Sequence, residues 1–306
     1  MGEIDRLVQL ATEVLERLQK LLPSGHAFDW SAHRAAVWRR TLGVGALRAH
    51  EGVDAIALSD LLHVEAQKAS IERNTEQFIH GYPANNVLLW GARGTGKSSL
   101  IHALLNRYAD QGLRLIEVDK QALAELADIV DQVRDEPYRF VIVCDDLSFE
   151  ADDASYKQLK SALEGSVFRS SDNVLIYATS NRRHLIAEYM EENLAATHRD
   201  GELHDGEAVE EKVSLSDRFG LWISFYPFKQ DAYLEVVAHW LNVLGRTHAI
   251  DVVPTEDTRR EALQWALSRA RNGRTAHYFA RHWVGRALLE RTSASRSGAA
   301  KRKSRS

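Results

Sequence analysis

The pattern of hydrophobic positions changes near residue 86 and divides the chain into two parts. Before it, apolar residues over 3–22 recur at helical spacing, and residues 30–70 are predicted to be helical with glycine interruptions. After it, short apolar runs alternate with amphipathic stretches of helix length. The predicted strands are 86–90, 113–118, 139–145, 173–179 and 222–225, with helices between them at 97–109, within 120–135 and at 155–164.

Strands that alternate with helices are typical of a parallel sheet covered by helices on both faces. We therefore expect an α/β fold. After residue 228 the pattern becomes purely helical, with predicted helices at 229–244, 255–270 and 275–290. These three helices predict a second, smaller domain.

Composition narrows the class of protein. Of the 306 residues, 27% are charged and 44% hydrophobic, which is ordinary for a folded domain and excludes collagen-like or wholly disordered chains. Cys144 is the single cysteine, so no internal disulfide can form. No apolar run approaches the roughly 20 residues of a membrane helix, and the chain does not start like a signal peptide. We expect a cytosolic protein without membrane contact.

Charge is unevenly distributed along the chain. The net charge is −4, yet residues 291–306 contain six basic residues and no acidic one. Their small side chains cannot build a core, which predicts a disordered basic tail. Such a tail is either simply solvated or a contact for nucleic acid or an acidic partner. Residues 188–211, rich in Asp and Glu, are interpreted as an acidic loop.

The strongest chemical signal lies between the first predicted strand of the alternating region and the helix that follows it. Residues 91–98, GARGTGKS, match G-x-x-x-x-G-K-[ST] at every fixed position. Glycines let the backbone turn its N–H groups toward a phosphate, Lys97 adds a cation at the β- and γ-phosphates, and the Ser98 hydroxyl ligates Mg²⁺. The sequence therefore predicts binding of ATP with Mg²⁺ by Gly91, Ala92, Arg93, Gly94, Thr95, Gly96, Lys97, Ser98 and Ser99.

A second signal is a pair of carboxylates at a strand end. The apolar strand 140–144 leads into Asp145 and Asp146. In this position Asp145 would hold Mg²⁺, through water, and Asp146 would accept a proton from the attacking water or orient it. The alternative is that both aspartates only cap the next turn.

Three further polar side chains are candidates for the same site. Asn181 follows the next strand and would contact the γ-phosphate or the water, or else cap the following helix. Arg218 precedes the last strand, and Arg274 begins the last predicted helix. Each arginine is either a cation for transition-state charge or a partner in a surface ion pair.

In order along the chain, these segments resemble those of AAA+ ATPases over about residues 56–290. NVLLWGARGTGKSSL resembles the Walker A motif, VIVCDD Walker B, ATSN sensor 1, LSDRFG the arginine-finger box, and residues 273–276 sensor 2. Residues 60–65 resemble the segment that packs on adenine. More narrowly, GARGTGKSSL, DDLSFE, ATSNRRHL and LSDRFGL are similar to a bacterial AAA+ family called domain of unknown function 815.

The resemblance implies a P-loop NTPase of AAA+ type, with a five-stranded parallel sheet, a helical lid and ATP hydrolysis at a subunit interface. Leu62 and Val64 would contact adenine, Arg274 would act in cis, and Arg218 would act in trans. One position departs from the pattern, because most AAA+ proteins carry Glu where this chain has Asp146. Either the shorter Asp146 still positions water, or Glu150 substitutes for it, or turnover is slow.

The expected organisation is a helical segment over 1–55, an AAA+ core over 56–228, a lid over 229–290 and a tail over 291–306. The favoured function is a Mg²⁺-dependent ATPase that forms a homo-oligomer and remodels an unknown macromolecular partner. One alternative is a nucleotide-controlled switch or scaffold with little turnover. The other is a DNA-associated loader, which only the basic tail supports.

Overall fold

The computed structural model describes residues 28–41, 43–148, 154–164, 172–181 and 218–303, together with positions 2, 6, 12 and 13. The side chains of 154–157, 164 and 294–303 are outside this description. Most of the helix predicted over 3–22 and the whole acidic loop over 188–211 also lie outside it, as does Glu150.

The centre of the fold is a mixed sheet of seven strands in the order β2-β1-β4-β5-β6-β3-β7. In this order the five strands β4, β5, β6, β3 and β7 are each parallel to their neighbours. These five strands coincide with the five predicted ones to within two residues. β1 runs parallel to β4, and β2 is antiparallel to β1. The strands are β1 (Ala35–Thr41), β2 (Val44–Ala49), β3 (Val87–Gly91), β4 (Leu113–Glu117), β5 (Arg139–Cys144), β6 (Val174–Ser180) and β7 (Leu221–Phe225).

The β1–β2 hairpin corrects two expectations, the five-stranded sheet and the helical conformation of residues 35–49. Gly43, at φ +85°, lies in the turn of this hairpin. The indole of Trp38 is buried against Gly45 and donates to Glu125 at 2.7 Å. The hairpin pairs with the edge of β4, whose backbone groups would otherwise lack partners in the sheet.

Helices cover both faces of the sheet, because successive side chains of a strand point to opposite faces. On β5, Phe140 and Ile142 pack with α3 and α4, whereas Val141 and Val143 pack with α1 and α2. These helices are α1 (Glu65–Ile79), α2 (Lys97–Tyr108), α3 (Leu126–Val133) and α4 (Ala154–Glu164), with 3₁₀ turns at 58–60, 109–111 and 120–125.

A third core lies among the C-terminal helices, which are α5 (Gln230–Thr247), α6 (Glu256–Leu267) and α7 (Gly273–Lys303). Tyr233 is fully buried there and donates its hydroxyl to the carbonyl of Ala262 at 3.1 Å. We call α5–α7 the lid.

The last helix, α7, continues to Lys303. Extending an existing helix fixes one residue per hydrogen bond, whereas starting a new one is costly. The alanines, arginines and lysines of 291–303 are good helix formers, and the segment contains no proline. None of the helices in the described ranges is both long and apolar enough to cross a membrane.

Candidate functional site

The glycine-rich loop leaves β3 through a backbone that only glycine tolerates well. Gly91 has φ +127°, and a Cβ placed there would lie 2.0 Å from the carbonyl oxygen of Phe225 on β7. The amide of Ala92 donates to that same oxygen at 3.1 Å. The loop is therefore held against β7 before it enters α2, whose positive N-terminal end faces the loop.

Lys97 folds back over the loop from the first turn of α2. Lys97 is only 7% exposed. Its Nζ donates to the carbonyls of Gly91 (2.8 Å) and Ala92 (2.9 Å) and to Oδ1 of Asn181 (3.2 Å). Burial lowers the pKa of Lys97 to about 8, although the charges of Asp145 and Asp146 act in the opposite direction. A buried cation at the phosphate-binding loop is suited to an anionic ligand, which would favour its charged form.

Asp145 and Ser98 meet at the carboxyl end of β5. The Ser98 hydroxyl donates to Oδ1 of Asp145 at 2.6 Å, and the hydroxyl of Thr179 donates to the same oxygen. A carboxylate with hydroxyl neighbours offers the oxygen ligands that Mg²⁺ prefers. Within the described ranges no group of three or more His, Cys, Asp or Glu side chains could hold a metal ion. Magnesium at Ser98 and Asp145 would take its other ligands from water and phosphate oxygens.

Asp146 is the next residue, and its backbone is unusual. It has φ +53°, which is uncommon outside glycine and recurs at functional sites. The Asp146 amide donates to Oγ1 of Thr179 at 2.9 Å, which helps to hold this conformation. Its carboxylate accepts from Nδ2 of Asn181 through one oxygen, and the other oxygen lies 3.3 Å from a guanidinium nitrogen of Arg93.

The start of α7 is bonded directly to the loop. Nδ2 of Asn272 donates to the carbonyl of Arg93 at 3.0 Å, and the amide of Arg274 donates to the carbonyl of Gly94 at 3.1 Å. Oδ1 of Asn272 accepts from the amide of Thr275 at 2.8 Å, an N-terminal cap of the helix. The lid and the phosphate loop therefore share hydrogen bonds at the site.

These groups line one cavity of about 910 Å³, a volume typical of small-molecule sites. Its polar end consists of the loop and the two aspartates. Apolar side chains of the 61–64 segment, Phe228 and Trp240 of the lid line part of the rest, together with charged and polar side chains that include Asp54, Asp60, His277 and Arg281. Of the predicted site residues, the lining contains Leu62, Val64, Arg93, Gly94, Thr95, Gly96, Lys97, Ser98, Ser99, Asp145, Asp146, Asn181 and Arg274.

Three predicted residues do not line the cavity. Gly91 and Ala92 lie beneath it and contribute the carbonyls that bind Lys97. Arg218 is exposed and precedes β7, where Leu221 pairs with Val87 at the start of β3. The loop begins four residues further along β3, or about 13 Å away at 3.3 Å per residue. Arg218 is therefore at the opposite end of these strands from the loop.

Sequence reasoning did not name two residues that the structure brings into the site, Thr179 and Asn272. Thr179 lies in the polar cluster at the end of β6, and its hydroxyl both donates to Asp145 and accepts from the amide of Asp146. Asn272 carries a weaker signal, an Asn just before a predicted helix start. Asn181 contacts Asp146 and Lys97, and the helix that it was alternatively expected to cap lies outside the described residues.

Comparison with solved structures finds distant similarity. The Thermotoga maritima RuvB Holliday junction branch migration motor has 14% identity and a TM-score of 0.48, over 74% of this chain and 63% of that one. The Aeropyrum pernix Orc1 protein in complex with DNA has 14% identity and a TM-score of 0.49, over 70% and 57%. The chain thus spans less than two thirds of either structure.

Sequence comparison is more informative. No curated protein matches the chain. A family model described as "Protein of unknown function (DUF815)" matches residues 31–287 of the 306, and so confirms the narrower kinship that the four motifs predicted. The chain therefore belongs to the DUF815 family.

Proposed function

We propose that this protein is a Mg²⁺-dependent AAA+ ATPase that hydrolyses ATP to ADP and phosphate. The observation that carries the proposal is the meeting of Lys97, Ser98, Asp145, Asp146 and Asn181 at the polar end of one cavity. These are the side chains that phosphate binding, cation binding and water activation require, on the carboxyl ends of three neighbouring strands.

The cavity suits a nucleoside triphosphate along its whole length. The loop amides and Lys97 would bind the β- and γ-phosphates, and Arg274 would add a cation from the lid. Leu62 and Val64, which line the same cavity, would contact the base. Mg²⁺ held by Ser98 and Asp145 would supply neutralising charge at the phosphate oxygens.

Asp146 is the proposed base, and Asn181 orients it. The water oxygen attacks the γ-phosphorus, the bond from phosphorus to the β–γ bridging oxygen breaks, and the water proton passes to the carboxylate. Asn181 donates to Asp146 and accepts from Lys97, so it can hold the base at a fixed position relative to the lysine that would bind the phosphate.

The position of Arg218 favours the proposal that the protein forms a homo-oligomer. At about 13 Å along the strands it is too far from the loop of its own chain to contact a γ-phosphate there. We propose that it completes the site of a neighbouring copy, and that turnover remodels a macromolecular partner. In this arrangement the β1–β2 hairpin and residues 56–228 form the core, and the helices α5–α7 form the lid.

ATP turnover measured against protein concentration, with particle size in ATP and in ADP, tests the proposal. We expect the rate per chain to rise as the protein assembles, to vanish on removal of Mg²⁺, and to vanish in Lys97→Ala. A rate that Lys97→Ala leaves unchanged would exclude this site as its source.

A nucleotide-controlled switch is the second candidate, and one observation favours it. Both carboxylate oxygens of Asp146 already have donor partners, and Asp is one methylene shorter than the usual Glu. Tight ATP binding with negligible turnover at every concentration would select the switch over the ATPase.

A further inference from the structure

Arg93 is the long side chain of the phosphate loop whose role the proposed function does not use. Between Gly91 and Ser98 the loop carries only small residues apart from Arg93 and Lys97. The Arg93 side chain is 73% exposed, lines the cavity, and brings a guanidinium nitrogen to 3.3 Å from Oδ2 of Asp146.

This contact gives the negative charge of Asp146, the proposed base, a cationic partner. One carboxylate oxygen of Asp146 accepts from Asn181, and the other faces the Arg93 cation. Asn181 in turn accepts from Lys97, so four side chains form one continuous chain across the polar end of the cavity. In this state each carboxylate oxygen of Asp146 faces a protein donor.

A γ-phosphate would compete for the same guanidinium. It would lie beside Lys97, at the end of the cavity that Arg93 and Asp146 share. A terminal phosphate offers several anionic oxygens to a planar guanidinium, whereas Asp146 offers one oxygen in an exposed and therefore weak ion pair. ADP has no γ-phosphate, so it would not offer these oxygens to the Arg93 guanidinium.

The main chain at Arg93 stays in place during such an exchange. Its carbonyl is held by Asn272 of the lid, and the next carbonyl, of Gly94, by the amide of Arg274. Only the exposed side chain must therefore turn from the carboxylate to the phosphate.

We propose that Arg93 senses the γ-phosphate. In the empty or ADP-bound site it neutralises Asp146; when ATP binds, it turns to the γ-phosphate and leaves Asp146 to the attacking water. This inference rests on the proposed function and deepens it, because it gives the same site a means of distinguishing ATP from ADP.

The test is the affinity of the full chain for ADP and for AMP-PNP, measured by calorimetry on wild type, Arg93→Ala and Arg93→Lys. In Arg93→Ala we expect the AMP-PNP affinity to fall about tenfold, as for one lost charge-assisted hydrogen bond, and the ADP affinity to stay within about twofold. Arg93→Lys keeps the charge and should restore most of the difference. Equal losses for both nucleotides would overturn the inference.

A double-mutant cycle tests the exchange of partners. Asp146→Asn removes both the ion pair and the repulsion between carboxylate and γ-phosphate, so it should raise AMP-PNP affinity in the wild-type background. In the Arg93→Ala background only the repulsion remains to be removed, and the gain should be smaller. Equal gains would show that Arg93 and Asp146 act independently, which contradicts the proposal.

The same data separate failure of the inference from failure of the proposed function. Retained ADP affinity in Arg93→Ala shows that the loop is still folded. Wild-type protein that binds neither nucleotide would refute the proposed function and the inference with it. Wild-type protein that binds both, with no selective effect of Arg93→Ala, would refute the sensor alone.

Discussion

Asn272 joins the lid to the phosphate loop, and its replacement by alanine is the most direct test of that connection. The residue is 8% exposed, donates to the carbonyl of Arg93 at 3.0 Å, and accepts from the amide of Thr275 at 2.8 Å. Asn272→Ala removes both hydrogen bonds and leaves a loop carbonyl and a helix N–H without these partners.

The cost can be estimated from the two bonds. A buried hydrogen bond contributes about 1 kcal/mol, and loss of a helix N-cap costs about 0.5–2 kcal/mol, so we expect a loss of about 2 kcal/mol in the free energy of unfolding. For a chain of this size that lowers Tm by about 4 °C. If half of the loss is the cost of reordering the loop, affinity for both ADP and ATP falls about fivefold.

Thermal melting and calorimetric titration with ADP and AMP-PNP measure the two effects. Asn272→Asp is the matched control, since it keeps the acceptor for the Thr275 amide but loses the donor to the Arg93 carbonyl. It should lose the share of stability that comes from the Arg93 bond, at least about 1 kcal/mol, but keep the helix cap, and it should bind nucleotide as weakly as Asn272→Ala. Unchanged affinity in both variants would mean that the lid contact does not order the loop, and the reasoning would fail.

Three further predictions concern the chemistry of the site. Burial lowers the pKa of Lys97 to about 8, and a bound phosphate favours the protonated form of this side chain. Nucleotide affinity should therefore be constant below pH 8 and fall as the pH rises above it. A titration from pH 7 to 10 that shows no fall in affinity would contradict this role of Lys97. Asp146→Asn should keep ATP bound and abolish phosphate release; if release continues at the wild-type rate, Asp146 is not the base and Glu150 is the next residue to replace. Arg218→Ala should lower turnover of the assembled protein about 10³-fold while leaving nucleotide affinity at low concentration unchanged, as for the loss of a trans-acting arginine. Mixing Arg218→Ala with Asp146→Asn should restore part of the rate, since some interfaces then combine an intact Arg218 with an intact Asp146; no restoration at any ratio would argue against shared sites.

Local signals were enough to predict much of this fold. Strands of a parallel sheet are mostly buried, so the five predicted strands are short, largely apolar runs that can be recognised without their neighbours. The loop after β3 is equally local, because Gly91, Gly94 and Gly96 adopt positive φ angles that other residues disfavour. The lining of the cavity by residues 93–99 follows from the loop and the helix after it.

The hairpin was mispredicted because its partners are distant in the sequence. Residues 35–49 become strands because β1 pairs with β4, 80 residues later, and because Trp38 bonds to Glu125, 87 residues away. No periodicity within the segment reports on these partners.

The same distinction between local and distant contacts applies to the site. The residue types needed for phosphate and cation binding could be named from short motifs. Their mutual arrangement could not, because Thr179 bonds to Asp145 across 34 residues and Asn272 bonds to the Arg93 carbonyl across 179. The pairing of Arg93 with Asp146, 53 residues apart, is of this kind too. A motif reports the conformation of its own backbone, but which side chains share a hydrogen bond is set by the packing of strands and lid that brings them within 3 Å or so.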